Sequence, residues 1–298
     1  MPVKSVFSTK DIKSLARSIS LIENEVDDYE DILLNLKPSS AKIIGITGAP
    51  GAGKSSLADA LIGEMINDGK KVGVLCVDPS SPFNKGALLG DRIRMSEWYN
   101  HPDVFIRSLA SKGSLGGLHP KIIEIADVIK SAGFDYVIIE TVGVGQSEVD
   151  IASLADITIV MLVPESGDII QTMKSGLMEV ADIFVINKYD RPGADNFYNS
   201  LKQMLGPVFN KTSKKIPVIK TTATTKDGIA ELYKNIREWN FDDDAEQKIE
   251  LLTEKIWSLI QNERMKQIDK EKMRGDILEA LSRPDFNMYE FAKGYGLK

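Results

Sequence analysis

The sequence predicts an α/β fold, a mostly parallel sheet with helices on both faces, flanked by helical arms at the two ends. Three observations predict it. Between about residues 38 and 240, short β-branched runs alternate with helical stretches. Most of those runs are near-continuous apolar segments, as expected of strands covered on both sides. A glycine-rich turn also stands between the first run and the first long helical stretch of this region.

The elements follow in order. Residues 9–36 carry Ile12, Leu15, Ala16, Ile19, Ile22 and Val26 at intervals of three and four, which predicts one amphipathic helix ended by Lys37-Pro-Ser-Ser40. Strands are predicted over Ile43–Thr47, Val72–Val77, Val104–Ile106, Tyr136–Ile139, Ile157–Val163, Ile183–Ile186 and Val218–Thr221. Asp242-Asp-Asp244 is an acidic break. After it Ile249, Leu252, Ile256, Leu259 and Ile260 mark another amphipathic helix. The Lys- and Glu-rich residues 262–275 read as a solvated helix face, and Ile277, Leu278 and Leu281 as the start of a last helical segment before Pro284. The expected division is a helical extension over 1–37, a central α/β domain over 38–240 and a helical arm over 241–298.

Composition narrows the function classes. The 298 residues are 43% hydrophobic and 27% charged, ordinary globular usage that excludes a disordered or fibrous chain. With 37 basic against 43 acidic residues the net charge is −6, which argues against general phosphate-backbone binding, so no nucleic-acid partner is expected. Cys76 is the single cysteine and lies in the apolar run Val72–Val77, where it reads as a small hydrophobe in a reducing cytoplasmic setting. The N-terminus has no signal-like apolar core and no run of about 18 apolar residues occurs, so neither secretion nor membrane is expected. His101 and His119 are the two histidines, and with one remote cysteine they do not assemble a zinc site of the Cys/His kind. Any metal is then held by oxygen.

Gly48, Ala49, Pro50, Gly51, Ala52, Gly53, Lys54 and Ser55 satisfy Gly-x-x-x-x-Gly-Lys-Ser, after a strand and before the helical run Leu57–Ile62, with Ser56 alongside. Glycines let successive N–H groups turn inward, and the following helix offers its positive end. Together they make a nest for phosphates. Lys54 is placed to reach the outer phosphates and Ser55 to offer its hydroxyl to Mg2+. Asp78, directly after the second strand, and Glu140, directly after the fourth, are the metal-site acids, and both residue positions equally suit a helix cap. Beyond Glu140, Gly143 offers an N–H to sense the terminal phosphate, and Gln146 is a candidate for orienting water.

Asn187-Lys188-Tyr189-Asp190 follows the sixth strand. A carboxylate at Asp190 accepts the ring N–H and exocyclic amino protons of guanine, a pattern adenine does not supply; Asn187 donates to the ring and Lys188 packs along its plane. Thr222, Ala223 and Thr224, after the next strand, close over the base. GTP and GDP are thus favoured over adenine nucleotides.

These segments, together with Leu15–Asn24, Val77-Asp-Pro-Ser-Ser-Pro82, Gly90-Asp-Arg-Ile-Arg-Met95 and Glu140-Thr-Val-Gly-Val-Gly-Gln-Ser147, are similar to the MeaB/ArgK family. That family comprises P-loop GTPases of the metallochaperone (SIMIBI-type) class and includes the human methylmalonic aciduria type A protein. The resemblance implies a homodimer that hydrolyses GTP and assists an adenosylcobalamin-dependent acyl-CoA mutase, gating cofactor delivery and protecting or reactivating it, with cobalamin adenosyltransferase as a further partner. It also implies Asp91 as a metal-site acid beside Ser55, Asp78 and Glu140, although Gly90-Asp-Arg92 equally suits a turn. Arg94, Lys112 and the run Pro164–Asp168 with Asp168, Gln171 and Lys174 resemble its switch and partner-coupling elements. At residue 112 lysine stands where an arginine is expected, and it lacks the planar fork of arginine. Two other readings are a stand-alone hydrolase, kinase or transport-linked ATPase, which the guanine-reading loop disfavours, and a nickel-delivering GTPase, for which two histidines and one cysteine are a poor ligand set.

Overall fold

The computed structural model describes residues 11–78, 95–111, 118–141, 150–166, 176–209, 216–239, 245–265, 268–282 and 286–296. All seven predicted runs are strands: β1 Lys42–Gly48, β2 Val72–Asp78, β3 Val104–Ala110, β4 Tyr136–Glu140, β5 Ile157–Leu162, β6 Ile183–Ile186 and β7 Val218–Lys220. They form one sheet in the order β3-β2-β4-β1-β5-β6-β7, with every pairing parallel. β1 has β4 on one side and β5 on the other, so the direction of winding reverses there. The crevice beyond the carboxyl ends of strands at such a reversal is where open α/β sheets bind ligands.

The helices are α1 Ile12–Glu23, α2 Tyr29–Leu34, α3 Lys54–Asn67, α4 Ile122–Ser131, α5 Leu177–Val180, α6 Ala194–Phe209, α7 Ile229–Arg237, α8 Ala245–Met265, α9 Lys270–Ala280 and α10 Met288–Lys293. On one face of the sheet Ile44, Ile46 and Ile159 pack with Leu57, Leu61 and Met65 of α3 and Leu232 and Ile236 of α7. On the other face Val160, Leu162, Phe184 and Ile186 pack with Leu201 and Leu205 of α6. The alternate residues of β5 and β6 thus serve two different clusters, which is why these strands show no polar face in sequence. Cys76 belongs to the first cluster, buried among hydrophobes as expected.

Two helical expectations need correction. The single helix over 9–36 is instead α1 and α2, separated at Asn24–Asp28 by Glu25 and Asp28, whose φ values of 47° and 68° are left-handed. The buried stripe Leu15, Ile19 and Ile22 runs out before this polar stretch, and Val26 is exposed. The Lys/Glu-rich stretch is likewise divided. Asp269 accepts hydrogen bonds from the Glu271 and Lys272 N–H groups and starts α9, which takes in Ile277 and Leu278, and α10 follows Pro284 under an Asn287 cap. The chain forms two compact units, Met1–Ala245 and Glu246–Lys298. Among the described residues no helix is long and apolar enough to cross a membrane.

Within the first unit, the break after α1 is held by charge. The buried Lys121 ammonium donates to Tyr29 Oη at 2.9 Å and Glu124 Oε1 at 3.0 Å and pairs with Glu25 Oε1 at 3.2 Å. Arg107 of β3 pairs with Glu23. Burial disfavours the Lys121 charge, but the hydrogen bonds to Tyr29 and Glu124, the Glu124 charge and Glu25 together outweigh it and raise its pKa. Its contribution is therefore whole below about pH 10.4, the unfolded lysine value, and is lost as pH rises through the higher folded value. Substitution Lys121→Met leaves Glu124 buried without its cation and is expected to cost about 3 kcal/mol in urea unfolding at neutral pH, with the dependence on urea unchanged.

Candidate nucleotide site

The site begins where β1 ends. Gly48 has φ 139°, and a Cβ there would lie 2.3 Å from the Met161 carbonyl oxygen of β5; Gly53 has φ 94°, and its Cβ would lie 2.5 Å from Asn187 Nδ2. A side chain has no room at either place, so the two ends of the loop are backbone pressed against β5 at Gly48 and against Asn187 of the loop after β6 at Gly53. α3 starts at Lys54, and the N–H groups of its first turn, which have no partners within the helix, form the floor of the nest. Lys54 is buried and its Nζ donates to the carbonyls of Gly48 at 2.8 Å and Ala49 at 3.2 Å, folding its charge back over the loop.

Beside the loop stand the oxygen donors. Ser55 Oγ donates to Glu140 Oε1 at 2.6 Å, a short charge-assisted bond between the start of α3 and the end of β4. Asp78 ends the neighbouring β2; Cys76 registers with Glu140, so Asp78 lies two residues further along the adjacent strand and on the same face. Ser55, Asp78 and Glu140 are all buried. One hydroxyl and two carboxylates make an all-oxygen donor set, which suits Mg2+, an ion that keeps several waters and takes its remaining ligands from phosphate. Among the described residues no group of three or more His, Cys, Asp or Glu side chains is placed to hold a metal ion.

Asn187 is the hinge pin of the arrangement. Its Nδ2 donates to the Ala52 carbonyl at 2.8 Å, while its Oδ1 accepts from Ala223 N at 3.0 Å and Thr221 Oγ1 at 3.1 Å. The sequence reading gave Asn187 only a contact with the base. In the fold one of its two amide protons braces the phosphate loop. Thr221 N donates to Ile186 O at 2.9 Å and Tyr189 N to Thr221 O at 3.0 Å, so the loops after β6 and β7 are zipped together. Thr222 N continues the closure with Asp227 O at 3.0 Å, Ala223 is buried, and Thr224 is exposed. Lys188 sits at φ 54°, with Nζ 3.2 Å from Glu165 Oε2, and Asp190 is exposed at the mouth of the loop. Outside this rim Lys220 lies over the Tyr189 and Tyr198 rings at 4.5 and 4.2 Å, and Tyr189 Oη donates to Asp195 Oδ1 at 2.5 Å.

The fold therefore brings Gly48 to Ser56, Asp78, Glu140, Asn187, Lys188, Asp190 and Thr222 to Thr224 to the carboxyl ends of the central strands. Asp91, Arg94, Lys112, Gly143, Gln146, Asp168, Gln171 and Lys174 lie outside the described residues. Two participants were not singled out in sequence. Thr221 was hidden in the predicted seventh strand, and Glu165 lay unremarked within Pro164–Asp168. Replacing Asn187 with Ala strips partners from a carbonyl, an N–H and a hydroxyl at once. In the absence of nucleotide, Asn187→Ala is expected to lower unfolding free energy by at least about 2 kcal/mol in urea titrations, because orphaned buried groups keep their desolvation cost.

Comparison with known proteins agrees with this geometry. A profile of the family described as methylmalonyl Co-A mutase-associated GTPase MeaB matches residues 15–273. The Pyrococcus horikoshii protein PH0274, named as a GTPase, is 48% identical over 233 residues, spanning 76% of this chain and 74% of that protein. The mitochondrial methylmalonic aciduria type A homolog of Caenorhabditis elegans is 46% identical over 148 residues, 49% of this chain and 37% of that one. The crystal structure of an LAO/AO transport system kinase superposes with a TM-score of 0.63 at 26% identity, covering 95% of this chain and 92% of the other. A GTPase of this fold binds GTP and GDP with Mg2+ and hydrolyses the triphosphate. With the profile matched over most of its length and a relative at 48% identity over three quarters of it, the chain belongs to the MeaB family of GTPases.

Proposed function

We propose that this GTPase serves as a chaperone of an adenosylcobalamin-dependent acyl-CoA mutase of the methylmalonyl-CoA mutase type, gating delivery of the cofactor and protecting or reactivating the mutase. The observation that carries the reading is the match to a mutase-associated family over residues 15–273, which reaches into both flanking helical regions as well as the nucleotide domain. The C. elegans homolog, named for methylmalonic aciduria, points the same way.

In this reading Gly48 to Ser56 hold the phosphates through backbone N–H groups, and Lys54 turns from its own loop carbonyls toward the outer phosphates. Ser55, Asp78 and Glu140, joined by Asp91, hold Mg2+; when bound, the ion neutralises charge that develops on the transferred phosphoryl group. Glu140 accepts the hydrogen bond that the Ser55 hydroxyl donates, which would leave the hydroxyl oxygen's lone pairs for the ion. Asp190 reads the guanine edge, the second amide proton of Asn187 meets the ring, and Lys188 covers its face. Gly143 senses the terminal phosphate and Gln146 orients the attacking water. Arg94, Lys112, Asp168, Gln171 and Lys174 couple nucleotide state to the partner. The protein works in the cytoplasm, with cobalamin adenosyltransferase as a further contact.

Residues 1–37 and 241–298 are assigned as arms of the nucleotide domain, the second as a dimerisation element. α8 displays Ile249, Leu252, Ile256, Trp257 and Ile260 at helical spacing, and Ile249 is 65% and Trp257 57% exposed. An apolar stripe of this kind seeks a partner, and a second copy supplies the same stripe.

Two outcomes test the reading. GTP turnover, measured with and without the adenosylcobalamin-dependent mutase of the same organism, is expected to rise severalfold and saturably with mutase while ATP turnover stays flat; unchanged GTP turnover at saturation contradicts the chaperone role. The double variant Ile256→Lys, Trp257→Lys is expected to convert a dimer to a monomer by light scattering, with GDP affinity retained. A monomeric unmodified chain at micromolar concentration contradicts the arm's assignment.

A further inference from the structure

We propose that Glu165 is a positioning residue for guanine-nucleotide recognition and that it acts through Lys188; the proposal rests on the assignment of Asn187 to Asp190 to the base. Glu165 lies in the one-turn 3-10 helix Pro164–Ser166 just past β5, and Lys188 lies just past β6. These strands are neighbours, with Leu162 in register with Ile186, and Asn187 N donates to Leu162 O at 2.9 Å, extending the ladder up to the two residues. The Glu165 carboxylate reaches across. Its Oε2 is 3.2 Å from Lys188 Nζ and its Oε1 is 3.5 Å from Arg191 Nε. With each oxygen engaged by a different cation of the same loop, the carboxylate is held against rotation from both sides.

The other end of Lys188 is fixed as well. Its backbone takes the left-handed φ of 54°, rare for a lysine, and is held there by Arg191 N donating to Lys188 O at 3.0 Å and Tyr189 N donating to Thr221 O at 3.0 Å. Backbone and ammonium are thus both tethered, and the methylenes between them are restricted to few rotamers. A lysine covers a flat apolar ring with its stem only if its ammonium has somewhere polar to go, and Glu165 supplies that place. The arrangement also ties the base-reading loop to the turn that leads into the run containing Asp168. A shift of Pro164–Ser166 therefore alters base affinity, and base binding in turn stabilises one position of that turn.

A double-mutant cycle on the full chain tests this, reading the Kd of fluorescently labelled GDP with Mg2+ for the unmodified chain, Glu165→Gln, Lys188→Met and the pair. Glu165→Gln is expected to weaken GDP about two- to fivefold, the span of an exposed ion pair, and to lose that effect near 1 M salt. Lys188→Met weakens GDP by more, and Glu165→Gln adds nothing on top of it. Equal weakening by Glu165→Gln in both backgrounds, or no weakening in either, overturns the proposal. A merely structural turn residue gives the additive result, and the urea midpoint of each variant shows whether folding is intact. ADP competition on the unmodified chain separates the two failures. Loss of guanine preference there removes the base assignment on which the proposal stands, whereas guanine preference without coupling between Glu165 and Lys188 overturns the proposal alone.

Discussion

The buried carboxamide of Asn187 is the interaction on which the rest of the site depends. It joins three backbone segments that are far apart in sequence, through Ala52 O, Ala223 N and Thr221 Oγ1. Each bond alone is worth about 1 kcal/mol net, but in a buried setting each group left without a partner costs more than the bond contributes. The phosphate loop and the base loops are therefore either all in place or all disturbed. Gly53 completes the lock from the other side, because any side chain there would occupy the space of the Asn187 amide. In the proposed reading a nucleotide touches both ends of this assembly and so meets a preorganised slot rather than two independent loops.

The sheet supplies the spacing. Winding that reverses at β1 sets β4 and β5 on its two sides; Glu140 ends β4, and Glu165 lies in the short turn that follows β5. Their neighbours determine different uses. Glu140 is buried against the Ser55 hydroxyl, which suits a metal ion. Glu165 is 44% exposed and meets two cations of the base loop, which suits alignment rather than metal binding. Elsewhere in the same unit, the half-buried Arg107 of β3 pairs with Glu23 at the end of α1, and the buried Lys121 just before α4 pairs with Glu25 in the break that follows α1.

Strands were legible because burial on both faces writes itself as unbroken apolar sequence, and all seven were found with ends differing by a few residues at most, as at Ala110. The phosphate loop was legible because its glycines, lysine and serine answer a steric demand that few other residues meet. Helical arms were less so. The periodicity of 9–36 gave no warning that Glu25 and Asp28 take left-handed conformations, and the cation that pairs with Glu25 at the break is a lysine nearly a hundred residues away. Thr221 and Glu165 escaped for a related reason. Their importance comes from partners on neighbouring strands, and strand order is not written in any local pattern. Asn187 was identified by its motif, but its bracing role became visible only once β1, β6 and β7 were in place.

The central claim is that these locked loops form a guanine slot read by Asp190. Competition binding of GTP, XTP and ATP to the unmodified chain and to Asp190→Asn tests it most directly. The unmodified chain is predicted to prefer GTP, and the asparagine variant to lose that preference, gaining affinity for xanthine, whose 2-oxygen accepts from the new amide where the guanine amino group no longer finds a carboxylate. Identical discrimination among the three nucleotides in both proteins would contradict the account.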